Sequence, residues 1–202
     1  MTNVIADITM SLDGYVTGEG ADPQHGLGDA EELHAWVMDR DAVDTEVLER
    51  ATARSGAVVM GRRLFDVVDG PDGWSAEMGY GADLAGTPPY FVVTHAAPAT
   101  VRLADEVGLR FTFVDGIADA VALAGAAAGG RDVVIMGGGD VIAQAIEQRL
   151  VDELHLHIAP IIVGGGTPLF PDGVRQQYRQ GTVRSSRHAL HVEYVRVDTT
   201  DA

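Results

Sequence analysis

Short apolar runs rich in valine and isoleucine alternate with helix-length segments and glycine-bearing turns along the chain. That order predicts an α/β fold assembled from strand–helix–strand units. Strands are expected at Val4–Leu12, Ala57–Met60, Tyr90–Thr94, Leu109–Val114, Asp132–Met136, Glu153–Val163, Thr182–Arg187 and His191–Val197. Helices are expected at Ala30–Met38, Asp44–Arg54, Arg62–Val68, Ile117–Ala128 and Val141–Leu150. The last two strands, divided only by His188–Leu190, read as an antiparallel hairpin closing one sheet edge. Residues 69–88 form the one long turn-rich insertion, a candidate flap.

The first strand breaks the pattern of a buried parallel strand, which is apolar on both faces. Val4, Ala6, Ile8, Met10 and Leu12 are apolar, whereas Asp7, Thr9, Ser11 and Asp13 share the other face. Either the strand lies at an edge with that face in water, or it is interior and the face lines a cleft. In the interior case every polar group must be hydrogen-bonded, because an unpaired buried carboxylate costs several kcal/mol.

The length of 202 residues suits a single domain, 1–202, and 46% hydrophobic with 22% charged residues describes a globular chain. Thirty acidic against fourteen basic residues leave a formal charge of −16, which disfavours nucleic acid and anionic lipid as partners. All the basic residues are arginine, so Schiff-base chemistry is excluded and any anion must meet guanidinium groups or backbone N–H groups. The absence of cysteine excludes thiol nucleophiles and thiolate metal sites. The start carries no basic segment followed by a long apolar run, and no membrane-length apolar stretch occurs, so a cytoplasmic protein is expected.

Three strand-to-helix junctions carry candidate chemistry. In DVVIMGGGDVIAQAIEQRL, Gly137, Gly138 and Gly139 separate a β-branched strand from a helix, an arrangement that lets a diphosphate approach backbone amides at a helix N-terminus. The spacing is neither GxGxxG nor a P-loop, and a plain tight turn remains the alternative. In AVVMGRRLFDVV, Gly61, Arg62 and Arg63 follow a buried strand. Either arginine could fork onto a ribose 2′-phosphate or pair with Asp66 or Asp69 instead. In FVVTHAAP, Thr94 and His95 reach the same sheet edge, as phosphate or ribose contacts or as turn residues.

The ordered set MSLDGYV (10–16), VVMGRRLF (58–65), VIMGGGDVIAQAI (134–146), LVDELHLHIAPIIVGGGTPLF (150–170) and VEYVRV (192–197) resembles the dihydrofolate reductase-like family. Within it, the chain is similar to the branch related to the reductase domain of the bifunctional riboflavin-biosynthesis deaminase/reductase. The resemblance implies a mostly parallel eight-stranded sheet flanked by helices, NADPH as cofactor, a small-molecule substrate and frequent homodimerisation. It implies that Gly61, Arg62, Arg63 and Leu64, with Val93, Thr94 and His95, meet the adenosine 2′-phosphate and ribose. It also implies that Gly137, Gly138, Gly139, Asp140 and Val141 hold the pyrophosphate, with a cis Gly-Gly bond among them, and that Thr9 and Val16 lie beside the nicotinamide.

The chain departs from the folate-reductase pattern in its candidate acids. The early helical carboxylate is best matched by Glu32, with Asp29 and Glu31 as competitors, while Asp7 and His157 occupy substrate-facing positions that are apolar and threonine in folate reductases. Asp7, Glu32 and His157 are therefore the candidate catalytic groups, Asp7 as a buried acid of raised pKa and His157 as a proton relay; hydrogen-bonded structural roles are the alternative. Asp140 stands where an arginine often follows the glycines, which weakens the preference for NADPH over NADH. His155 and His157 lie two apart on one strand face, yet a metal site is not expected. Phe170 is expected as a packed anchor, and Trp74, Met78 and Tyr80 as a cover for a planar substrate or a flap stitched to the core. The reading is an NADPH-dependent reductase acting on a pterin-like or pyrimidinone-like heterocycle, or on a carbonyl or imine. The alternatives are an inactive dinucleotide-binding module and a flavin- or deazaflavin-linked reductase.

Overall fold

The structure, a computed structural model, describes residues 2–79, 87–170 and 175–197. Among them eight strands form one sheet: β1 Val4–Met10, β2 Ser55–Gly61, β3 Tyr90–Val93, β4 Phe111–Val114, β5 Asp132–Ile135, β6 Glu153–Ile158, β7 Tyr178–Ser185 and β8 Leu190–Arg196. Their order is β4-β3-β2-β5-β1-β6-β8-β7, parallel throughout except that β8 runs antiparallel to both β6 and β7. The expected mixed α/β sheet with its C-terminal hairpin is present. β1 is interior, between β5 and β6, so its polar face is not an edge facing water.

The helices are α1 Ala35–Met38, entered through a 3-10 turn at Glu31–His34, then α2 Ala42–Arg54, α3 Arg62–Val68, α4 Arg102–Val107, α5 Ile117–Ala127 and α6 Gly139–Glu147. Alternation along the strands divides the core between the two sheet faces. On one face Ala57, Val59, Val133 and Ile135 pack with Ile117 and Ala124 of α5 and Ile142 and Ile146 of α6. On the other, Val58, Met60, Tyr90 and Val92 pack with Phe65 of α3 and Leu103 of α4.

Several boundaries move from the sequence expectation, each for a local reason. β1 stops at Met10 because Ser11 turns the chain, its N–H donating to the Tyr15 carbonyl at 2.8 Å while Gly14 takes φ +88°. β6 stops at Ile158, not Val163, since Pro160 has no N–H to continue a ladder. α2 starts earlier than expected, at Ala42, because Asp41 and Asp44 form a capping box. α4 was not expected at all: its cap comes from Asp69, whose carboxylate accepts from the N–H groups of Arg102 at 3.2 Å and Leu103 at 2.8 Å. Of the 69–88 insertion, residues 80–86, which include Tyr80, lie outside the described residues. Trp74 is stitched to the core, its carbonyl accepting from Arg102 Nη2 at 2.7 Å and its ring 5.9 Å from that of Tyr90.

Candidate active site

The carboxyl ends of β2 and β5 meet at the glycine triplet. Gly61 N–H donates to the Gly137 carbonyl at 2.8 Å, and the Gly137–Gly138 peptide bond is cis. Gly138 is the N-cap of α6, with φ −75° and ψ −178°, and no side chain caps the helix there. In the first turn of α6 the Val141 N–H donates to the Gly138 carbonyl at 3.0 Å, while the N–H groups of Gly139 and Asp140 have no side-chain acceptor, the local chemistry that suits an anion. The three glycines do different work. A Cβ on Gly139 would lie 2.9 Å from Val16 Cγ2, and one on Gly137 would lie 3.3 Å from Leu64 Cδ2, whereas one on Gly138 would meet nothing within 4 Å. Gly139 therefore lets α6 pack against Val16, and Gly138 borders open space. A Cβ on Gly61 would come within 2.7 Å of Val141 Cγ2, so Gly61 permits the close approach of β2 to α6.

The two arginines beyond Gly61 differ in their commitments. Arg62 is engaged, Nε donating to Asp66 Oδ1 at 2.7 Å and Nη1 to the Ala96 carbonyl at 2.6 Å, which ties α3 to the turn after β3. Arg63 is 84% exposed and reaches Asp140 at only 3.9 Å. Thr94 donates through Oγ1 to the Ala96 carbonyl at 3.1 Å, and His95 pairs with Asp115 on the surface.

On the sheet face under α1 and α2, β1, β6 and β8 carry polar side chains in register. Asp7 lies beside His155, which lies beside Glu193, and Thr9 lies beside His157, which lies beside His191. His157 Nε2 is 3.0 Å from Asp7 Oδ1, its Nδ1 is 2.7 Å from His191 Nδ1, and His191 Nε2 is 2.9 Å from Asp44 Oδ1. The Trp36 ring lies 4.2 Å from that of His157, and its indole N–H donates to Thr9 Oγ1 at 2.8 Å. Beside Asp7 a cleft is lined by Arg50, Arg54, His155, Arg184 and Glu193.

Histidines and arginines face the carboxylates of this cluster. Burial by itself would raise the Asp7 pKa, but the charge and hydrogen bond of His157, with His155 and His191 behind it, outweigh burial and hold it below the usual carboxylate value. Burial, then the neighbouring His157, pushes His191 down. His34 keeps much of its surface in water, yet crowding on its inner side, and after that His157, also lowers its pKa. Glu153 is held down at about 2 by its hydrogen bond to His155 and, against partial burial, by Arg54.

The model of the RibD C-terminal domain matches residues 2–198. The chain belongs to the RibD C-terminal domain family. Its similarity to the uncharacterized protein YyaP of Bacillus subtilis (strain 168) is 26% identity over 172 residues, 84% of this chain and 80% of that one. A protein of Shewanella sp. PV-4 named for riboflavin biosynthesis shares the fold with TM-score 0.67 and 24% identity, over 98% of this chain and 100% of the other. The diaminohydroxyphosphoribosylaminopyrimidine deaminase/5-amino-6-(5-phosphoribosylamino)uracil reductase of Thermotoga maritima aligns with TM-score 0.60 and 13% identity, over 97% of this chain and 57% of that one. At these identities the solved structures establish the fold alone.

In this RibD-type sheet the expected nucleotide residues gather in part. Gly61, Leu64, Gly137, Gly138, Gly139, Val141 and Val16 converge on one turn, and Val93 is the register partner of Gly61. Arg62 departs from the nucleotide role and takes the alternative left open, its guanidinium being spent on Asp66 and the Ala96 carbonyl. The Thr9 hydroxyl is buried against Trp36. Among the candidate acids, Asp7 and His157 meet, but the raised pKa expected of Asp7 is reversed by three histidines. Glu32 is exposed, because the inward position of its 3-10 turn is held by Leu33, packed with Ala30 and Ala159. Asp29 accepts from the Glu19 N–H at 2.8 Å. Asp13 is held at about 2 by Ser11 and by the N–H groups of Val163 and Gly164. No three ligand-type side chains are grouped for a metal ion among the described residues. Phe170 is 47% exposed and the packed anchor is its neighbour Leu169. The sequence reading missed His191, Asp44 and Trp36. The available signal was the HLH spacing of His155–His157 together with a further histidine, His191, in the last strand.

Proposed function

We propose that this chain is an NADPH-dependent reductase that transfers hydride to a small planar heterocycle of the pterin or pyrimidinone kind, or to a carbonyl or imine. The observation that carries this reading is the open turn at Gly138: an uncapped helix N-terminus bordering free space, on the strand next to the one that presents Asp7. Gly138, Gly139 and Asp140 would hold the diphosphate through backbone N–H groups, with Gly137 and Val141 shaping the turn beside them. Arg63, with Thr94 and His95, would serve the adenosine end. The acidic Asp140, exposed at the first turn, opposes an anion there, and its place opposite Arg63 leaves discrimination between NADPH and NADH to that arginine.

Bound there, a reduced nicotinamide supplies the hydride; the chain's own work is to orient the partners and to provide a proton. Asp7 and His157 are the groups placed for the proton. The Thermotoga maritima neighbour is named as a reductase of a 5-amino-6-(5-phosphoribosylamino)uracil, and the pyrimidinone ring of that substrate supports a pyrimidinone-like class here. A phosphate-bearing substrate fits this chain poorly. Each arginine at the cleft already faces a carboxylate: Arg54 reaches Asp132 and Glu153, Arg50 reaches Glu193 at 3.6 Å and Arg184 reaches Glu46 at 3.0 Å. A homodimer is part of the reading, supported by the exposed side chains of Leu12, Ile162 and Phe170 around the turn after β6, and light scattering tests it.

The test is NADPH consumption with a panel of pterins, aminopyrimidinones, quinones and imines, run beside thermal shift with NADPH alone. Stabilisation by NADPH with turnover of one member is the expected result. Stabilisation with no turnover supports a binding module instead, and neither response overturns the nucleotide reading altogether.

A further inference from the structure

Asp7, His157, His191 and Asp44, contributed by β1, β6, β8 and α2, make an unbroken line of three short contacts. Each gap between heavy atoms must hold one proton, since a carboxylate has none to offer. Two neutral imidazoles bring one N–H each. If both point at their carboxylates, bare lone pairs face each other across the 2.7 Å between the two Nδ1 atoms. If both rings are fully protonated, two N–H groups collide in that same gap. The line closes only with three protons, one more than two neutral rings own, so two carboxylates and one imidazolium leave one net negative charge. The extra proton is assigned to His157, whose ring lies 4.2 Å from that of Trp36, an aromatic face that favours a cation.

We propose that these four side chains are a proton-storing unit that carries one excess proton on His157 and releases it at Asp7, with His191 and Asp44 as positioning residues that set how tightly it is held. Burial gives the line a direction. Asp44 and His191 have side-chain exposures of 0% and 5%, His157 has 5%, and Asp7, the most exposed of the four, has 16%; the cleft is lined by Asp7, His157 and His191 alike. Protons therefore enter and leave at the Asp7 end. Trp36 covers the His157 ring and, through Thr9, is itself pinned to β1. The other charged groups facing the line are Glu153 and His155 on β6, Glu193 on β8, Arg50 and Arg54 on α2, Arg184 on β7, and His34 in the 3-10 turn.

The use of this proton rests on the reductase reading. On that reading, a C=N or C=O group that received hydride at carbon would hold the electron pair of the broken π bond on nitrogen or oxygen. That atom takes the proton given up by His157 through Asp7. His157 is left neutral, and water restores its proton.

The experiment is nitrogen-15 NMR of histidine-labelled full chain with no nucleotide present, titrated from about pH 5 to about pH 9, the span in which histidines change charge. The expected spectrum at neutral pH shows one imidazolium ring coupled through nitrogen to one neutral ring protonated on Nε2. In Asp44→Asn the charge at the far end is lost, so the imidazolium should give up its proton about one pH unit lower, a tenfold loss of proton affinity. In His191→Phe the nitrogen-to-nitrogen coupling should vanish while His157 remains paired with Asp7. Two neutral rings at neutral pH in the parent chain, or an Asp44→Asn titration identical to the parent, overturns the proposal. The parent spectrum decides by itself where a variant does not fold. Because no nucleotide takes part, these outcomes are independent of NADPH binding: absence of binding with the expected spectrum refutes the reductase reading alone.

Discussion

Substituting Gly138→Ala isolates the nucleotide cradle from the fold. The glycine sits at φ −75° and ψ −178°, extended backbone open to any residue, and an added Cβ meets no atom within 4 Å. Neither strain nor overpacking is introduced, and reduced freedom of the unfolded chain should change stability by about 0.4–1 kcal/mol in the stabilising direction. For a chain of 202 residues that moves Tm by only a few degrees, about 2–4 °C per kcal/mol. A diphosphate seated on the first-turn amides must give way to the new methyl group. Each hydrogen bond to a charged group is worth about 1.5–3 kcal/mol, so losing one lowers affinity roughly ten- to a hundredfold. Gly125→Ala, in mid-helix of α5 with nothing within 4 Å of its added Cβ, is the matched control. It should raise stability by about 1 kcal/mol and leave binding alone. Calorimetric titration of NADPH into both variants, with thermal melts alongside, reads the contrast. Undiminished affinity in a folded Gly138→Ala protein refutes the reasoning.

Three further outcomes follow from the same geometry. Arg63→Ala should weaken NADPH more than NADH, by about tenfold for a lost charge-assisted contact, whereas Arg62→Ala should lower Tm through the lost ties to Asp66 and the Ala96 carbonyl and weaken both nucleotides alike; comparing the two Kd ratios checks this. Leu33→Ala, at 0% exposure, should cost about 2–5 kcal/mol in urea unfolding and loosen the turn that leads to Trp36. Glu153 has a folded pKa of about 2 against 4.5 unperturbed, so the unfolded state binds the proton first as acid is added; its stabilisation is present above pH 4.5 and is lost as pH falls towards 2, and Glu153→Gln should flatten that part of the acid-unfolding curve.

The sheet and the glycine junctions were legible because their signals are local. A β-branched run followed by three glycines and a 3.6-period apolar stripe describes β5 and α6 within about fifteen residues of sequence. α4 was not legible because its N-cap residue, Val101, carries no capping side chain and the cap comes from Asp69, 33 residues before Arg102. The site shows the same divide. Asp7 and His157 stand out as polar residues in apolar strands, but the sign of the Asp7 shift depends on histidines brought alongside by strand register. The contact of His191 with Asp44 spans 147 positions and exists only once β8 lies antiparallel to β6 beneath α2. The pairing of Arg62 with Asp66 was legible as one of two readings, since Asp66 follows at the i+4 helical spacing that favours an ion pair. Leu33 displaced Glu32 from the inward position because the short 3-10 turn buries an apolar residue against Ala30 and Ala159.

A crystal structure of the protein saturated with NADPH places the nucleotide without any assumption about substrate. The diphosphate should lie against the backbone amides at Gly138, Gly139 and Asp140, with the nicotinamide towards Thr9 and the Asp7–His157 pair. A nucleotide bound elsewhere on the sheet, or no density at full occupancy of the solution titration, contradicts the assignment of this turn as the cofactor cradle.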